Sequence, residues 1–313
     1  MQAEPLIHWP EPIVQLVGFV AQFVAVGSVG FRYAAVGNRL RSGDAAERDV
    51  YEAACARAAL LGLIGAIVSG LLFAFALPEG AQRAHTTVAG LLTSDLATGL
   101  QAVLTIVGIV GLALAAIRRG AGWAMAATGV VLGPLTAIVS FQWLRLVNPV
   151  HRLVAGLWLG TLFVLLVAGL ATMLRDERVR DRRGAMAADM VNGFSPLALT
   201  CGMILVLSGL VTAWRHLNPL SSLWTHPYGW TLLIKLALVA VVFALGAWNW
   251  RRQRPSLGSE TAAFAIRRSS KAELTFAALV LVVTSILVSM PSPRPPRPPG
   301  QAAPPGAPAG PPP

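Results

Sequence analysis

Long apolar runs alternate with short, arginine-rich loops along the whole of this 313-residue chain. A helix needs about 20 apolar residues to cross the hydrocarbon core of a bilayer. Eight stretches reach that length: Ile13 to Val36, Ala56 to Leu77, Leu96 to Ile117, Gly122 to Trp143, Val150 to Leu174, Val191 to Trp214, Tyr228 to Trp250 and Ala272 to Met290. The pattern predicts an all-α, polytopic membrane protein with eight transmembrane helices.

Composition agrees: 55% of residues are hydrophobic and 12% charged, against about 25% charged in a typical soluble protein. The charge is also unevenly placed. Eighteen of the lysines and arginines fall in the loops after spans 1, 3, 5 and 7, six fall on the other side, and Lys235 lies inside a span. Basic loops stay in the cytoplasm, so both termini are expected outside the cell. Trp143, Trp214, Trp224 and Trp230 mark the outer span ends and Trp123, Trp248 and Trp250 the inner ones, as an interfacial aromatic belt requires. The net charge of +11 points to no nucleic-acid partner, because it is confined to short loops and leaves no soluble basic surface to hold a duplex. The first twelve residues, MQAEPLIHWPEP, lack the basic region of a cleavable signal peptide, so the first span is expected to be retained. The Pro-rich stretch after Met290 suits an extended tail of polyproline type.

The two halves resemble each other in order. GFVAQFVAVG from Gly18 matches HRLVAGLWLG from His151, and Ser69-Gly70-Leu71 matches Ser208-Gly209-Leu210. Gly99 matches Gly229, and Thr136 matches Thr284. Four spans per unit would insert two parallel repeats about an axis along the membrane normal. The chain divides into residues 1–146, residues 147–291 and a tail at 292–313.

All five histidines, His8, His85, His151, His216 and His226, fall on the outer side of this topology. Histidine is the commonest metal ligand, and imidazole suits copper, zinc, iron and nickel. Each histidine alone also reads as a polar interface or loop residue. His151 opens span 5 and shares a helical face with Trp158, two turns on. Gly156 and Gly160 form a small-xxx-small pair that admits a neighbouring helix. Met290, at the outer end of span 8, offers a thioether of the kind that favours Cu(I), or simply packs. Lys235 lies about 10 Å below Tyr228 along its helix. Intramembrane charges are functional by default, and Lys235 either pairs with Asp95 at the head of span 3 or snorkels outward. Cys55 and Cys201 form no CxxC and indicate neither a zinc knuckle nor a redox pair.

From Pro149 to Pro291 the chain resembles the copper resistance protein D (CopD) family of bacterial inner-membrane proteins. The resemblance rests on HRLVAGLWLG from His151, NGFSPLAL from Asn192, SGLVTAW from Ser208, THPYGWTLLIKLALVAVVFALGAWN from Thr225 and RRSSKAELTFAALVLVVTSIL from Arg267. It implies a copper-handling protein that moves the ion from the periplasm to the cytoplasm, sometimes beside a separate periplasmic CopC-like partner. The family-like positions are His151, Trp158, Gly160, Phe194, Ser195, Tyr228, Gly229 and Lys235. Copper is the expected ion, and no enzymatic activity is expected. A b-type haem protein would instead need histidines facing one another at matched depth, and a membrane scaffold would need no metal at all.

Overall fold

The computed structural model describes residues 9–41, 44–140, 143–216, 221–253 and 260–290. His8 and the Pro-rich tail lie outside the described residues, as does the side chain of His216. Among the described residues the chain is helical, with no strand. Seven helices are long and apolar enough to cross a membrane: α1 (Glu11–Leu40), α2 (Ala45–Arg83), α3 (Leu96–Ala116), α5 (Leu146–Met173), α6 (Glu177–Trp214), α7 (Pro227–Trp248) and α8 (Lys271–Val288). Between α3 and α5 lies a shorter apolar helix, α4 (Ala121–Thr136).

The difference from the eight expected spans has a local cause. The α-helical part of α4 stops at Leu132, and Gly133–Ser140 continues as a 3-10 helix. Pro134 has no N–H to donate, and the tighter winding rises about 2 Å per residue. α4 nevertheless runs back along most of α3. A Cβ on Gly122 would come within 2.6 Å of Ala115 N, and one on Gly129 within 2.2 Å of Gly108 N. Further along, the Thr136 hydroxyl donates to Gln101 Oε1 at 3.1 Å.

α2 and α6 outrun their apolar stretches. The Asp44 carboxylate accepts from Glu47 N–H at 2.9 Å and caps α2 eleven residues before the apolar segment begins. Near the end of α1, Gly37 opens a closing 3-10 turn with a φ of +53°, which suits a residue without Cβ.

Helices in lipid gain little from hydrophobic burial and associate through close packing of small residues. α5 is the central helix: 72% of its apolar window is buried, against 50% for α1 and 11–22% for the other long helices. α1 lies parallel to α5 at near backbone contact. A Cβ on Gly27 would fall 2.1 Å from Gly160 C, and one on Gly160 would fall 1.9 Å from Phe23 O. Both helices then widen into a π-helical segment, at Phe31–Val36 and at Leu165–Leu170. Large side chains such as Leu60, Ile64, Leu71 and Phe75 on α2 stand exposed on the outside, where lipid would cover them.

One end of the bundle is tied by ion pairs. Arg182 meets Asp44 and, at 2.8 Å, Glu47. Arg178 meets Asp49 at 3.2 Å, Arg39 meets Asp189 at 3.5 Å and Arg118 meets Glu52 at 3.7 Å. These contacts gather the segments that follow α1, α3 and α5.

Candidate functional site

His151 sits one to two turns into α5, opposite α6. Its Nδ1 lies 2.8 Å from Ser208 Oγ. The Ser208 O–H donates to the Ile204 carbonyl at 2.7 Å, the usual back-bond of a helical serine. That leaves the Ser208 oxygen as an acceptor, so the imidazole carries its proton on Nδ1 and keeps a bare lone pair on Nε2. A second-sphere hydrogen bond of this kind fixes the tautomer of a metal-ligating histidine. One turn nearer the start of α5, the Thr212 hydroxyl lies 3.3 Å from Asn148 Oδ1, so two polar pairs join the start of α5 to the end of α6.

Lys235 lies on α7, two turns along from Tyr228. It has no hydrogen-bond or ion-pair partner among the described residues. Asp95, the partner suggested by sequence, caps α3 and accepts from the hydroxyl and, at 3.3 Å, the N–H of Thr98. The pairing of Lys235 with Asp95 is therefore not formed, because Asp95 is spent on its own helix.

Three other expected ligands fall among the described residues. His226 precedes α7, and its Nδ1 accepts from Tyr228 N–H at 3.3 Å. Met290 packs beside a small buried cluster of Tyr228, Leu232 and Leu287, and its Sδ lies 3.6 Å from Thr231 Oγ1. His85 is exposed at the end of α2 with a φ of +53°. Among the described residues no three histidines, cysteines or carboxylates come together as a metal-binding group.

Trp158 is buried two turns below His151, with its ring 5.0 Å from that of Phe243 on α7. Gly160 serves the α1 contact already described, as its spacing from Gly156 predicts. Phe194 is buried, and the Ser195 hydroxyl back-bonds to Val191 O at 2.8 Å. Cys55 and Cys201 are both free and buried. Sequence reading missed two features. Ser208 entered only as a repeat match, since its pairing with His151 is a tertiary contact. Glu273, buried on α8 close to Gly246 of α7, is a carboxylate within an apolar helix that deserved notice on that ground alone.

Residues 188–287 match the family model of copper resistance protein D. The chain is 31% identical over 157 residues to the copper transport protein CutJ of Bacillus subtilis (strain 168). That stretch is 49% of this chain and 26% of the relative, so the chain covers about a quarter of that protein's length. No solved structure matches. Its apolar helices make the chain a multi-pass membrane protein, and α6, α7 and α8 carry the stretch that matches the copper resistance protein D family model.

Proposed function

We propose that the protein carries copper across the bacterial inner membrane, from the outer face toward the cytoplasm. His151 is the principal ligand at the outer mouth, and the observation that carries this reading is the Ser208 bond that leaves its Nε2 lone pair free. His226, Met290 and His85 are the further candidate ligands among the described residues, and His8 and His216 are candidates from the sequence alone. The name of the Bacillus subtilis relative supports copper as cargo. A separate periplasmic CopC-like protein is the proposed donor, and no catalytic step is assigned. Acid releases the ion, because protonation of an imidazole removes the lone pair that binds it.

The topology belongs to the same proposal: eight crossings, with both termini outside. Arg118 and Arg178 reach Glu52 and Asp49, one turn apart on α2, so both lie at one end of the bundle. The chain between them holds α4 and α5, and a return to the same end takes two crossings. Two parallel repeats are supported by the Gly27–Gly160 contact, since these glycines also match in the sequence alignment of the halves. The paired π-helical segments add to that support.

Copper uptake into membrane vesicles of known orientation tests the reading. His151→Ala should abolish most of the uptake, and Ser208→Ala should weaken it about tenfold, the usual cost of losing an orienting partner. Uptake by His151→Ala equal to that of the unaltered protein would sink it.

A further inference from the structure

α5 and α6 run antiparallel along a seam that two contacts mark. Eighteen residues separate His151 from Gly169 on α5, and eighteen separate its partner Ser208 from Met190 on α6. Gly169 faces Met190 beside the Phe31 ring of α1: a Cβ there would lie 3.1 Å from the Met190 sulfur and 2.8 Å from Phe31. Counted from those two contacts, Cys201 on α6 mirrors Trp158 on α5 halfway down, and Met186 mirrors Met173 one turn beyond Met190. Cys201, Met190, Met186 and Met173 are at most 3% exposed. Along α6, Ser208 to Met190 covers about 27 Å, nearly the hydrocarbon thickness of about 30 Å. The seam thus runs from an imidazole at the outer end, past a thiol, to three thioethers near the arginine-rich end.

We propose that this seam is the path of the ion as Cu(I), and that Met173, Met186 and Met190 form a thioether site at its inner end. The proposal rests on the copper reading above and adds the route and the oxidation state. Thioethers are soft, neutral donors that select Cu(I) over zinc or magnesium. They hold the cation without placing a carboxylate in the membrane, where charge is costly. The ion enters and leaves as Cu(I), so no electron transfer is needed. Met186 and Met190 lie four apart on one face of α6, a spacing that lets both sulfurs turn toward one point against Met173.

The test is an anaerobic Cu(I) titration of the purified full-length protein against a chromophoric chelator, with X-ray absorption of the loaded protein. Sulfur scatterers should dominate the copper shell. Met173→Leu and Met190→Leu keep the volume of the packing and should each weaken Cu(I) binding at least about tenfold, since even an orienting group costs that much. His151→Ala should leave this inner site intact. A shell of nitrogen and oxygen alone, or leucine variants that bind as tightly as the unaltered chain, would overturn the seam. The absorption spectrum of the unaltered protein decides the matter even if a variant fails to fold. Vesicles that take up copper while the protein holds no sulfur-bound Cu(I) would reject the seam and keep the transport reading. Vesicles that take up none would reject both.

Discussion

Lys235 carries a positive charge without an ion-pair partner among the described residues, in the half of the chain that also holds the imidazole expected to receive a cation. Like charges in a poorly hydrated site repel strongly. Lys235→Met should therefore tighten copper binding at His151 while slowing release into the bundle, a split visible as a lower half-saturating concentration with a lower maximal uptake. If affinity is unchanged, the two residues are electrostatically independent. The same scale explains what the sequence could tell and what it withheld. His151 and Trp158 were legible because two turns of one helix fix their common face. Ser208 as the partner of His151, and Asp95 as no partner of Lys235, were not legible. Both depend on how helices distant in sequence are set against each other, and on which local donors reach a carboxylate first.

Among the elements, the contact of α1 with α5 is the least tolerant of change. The Cβ of Gly160→Ala would overlap the Phe23 carbonyl, and backbone cannot step aside as a flexible side chain can. Overpacking of this kind costs about 1–3 kcal/mol. Gly160→Ala should melt at a lower temperature in detergent, whereas Gly120→Ala, with open space around the Cβ, should melt with the unaltered protein. The matched position in the first half shows why only one half is expected to carry the chemistry. Ser69 corresponds to Ser208 and has a buried hydroxyl oxygen without a partner, and where the second half has His151 the first has Gly18. The helices themselves were readable from apolar length, but their ends were not. Asp44 extends α2 through polar sequence by capping it, and Pro134 turns the tail of α4 into 3-10 helix.

Over the whole molecule, acid should loosen the arginine-tied end first. The backbone N–H of Glu47, aided by the Arg182 guanidinium, holds Asp44 below the usual carboxylate range. The Arg178 side chain and N–H do the same for Asp176. A carboxyl whose pKa is lower folded than unfolded stabilises the fold above its unfolded value, and that contribution disappears as pH falls through the folded value. Asp44→Asn should therefore melt below the unaltered protein at pH 7, and the gap should close as pH falls through the lowered folded value of Asp44, where both carry a neutral side chain.

That end also supports the proposed topology, because segments tied together by ion pairs share one aqueous compartment. Both native cysteines are buried, so single introduced cysteines report cleanly on sidedness. A membrane-impermeant thiol reagent added to intact spheroplasts should label Ala84→Cys, beyond the far end of α2, and leave Gly120→Cys, beside Arg118 and Arg119, untouched until the cells are opened. Labelling of Gly120→Cys from outside would invert the bundle. The His151 end would then face the cytoplasm, and the proposed direction of copper movement would have to be reversed along with it.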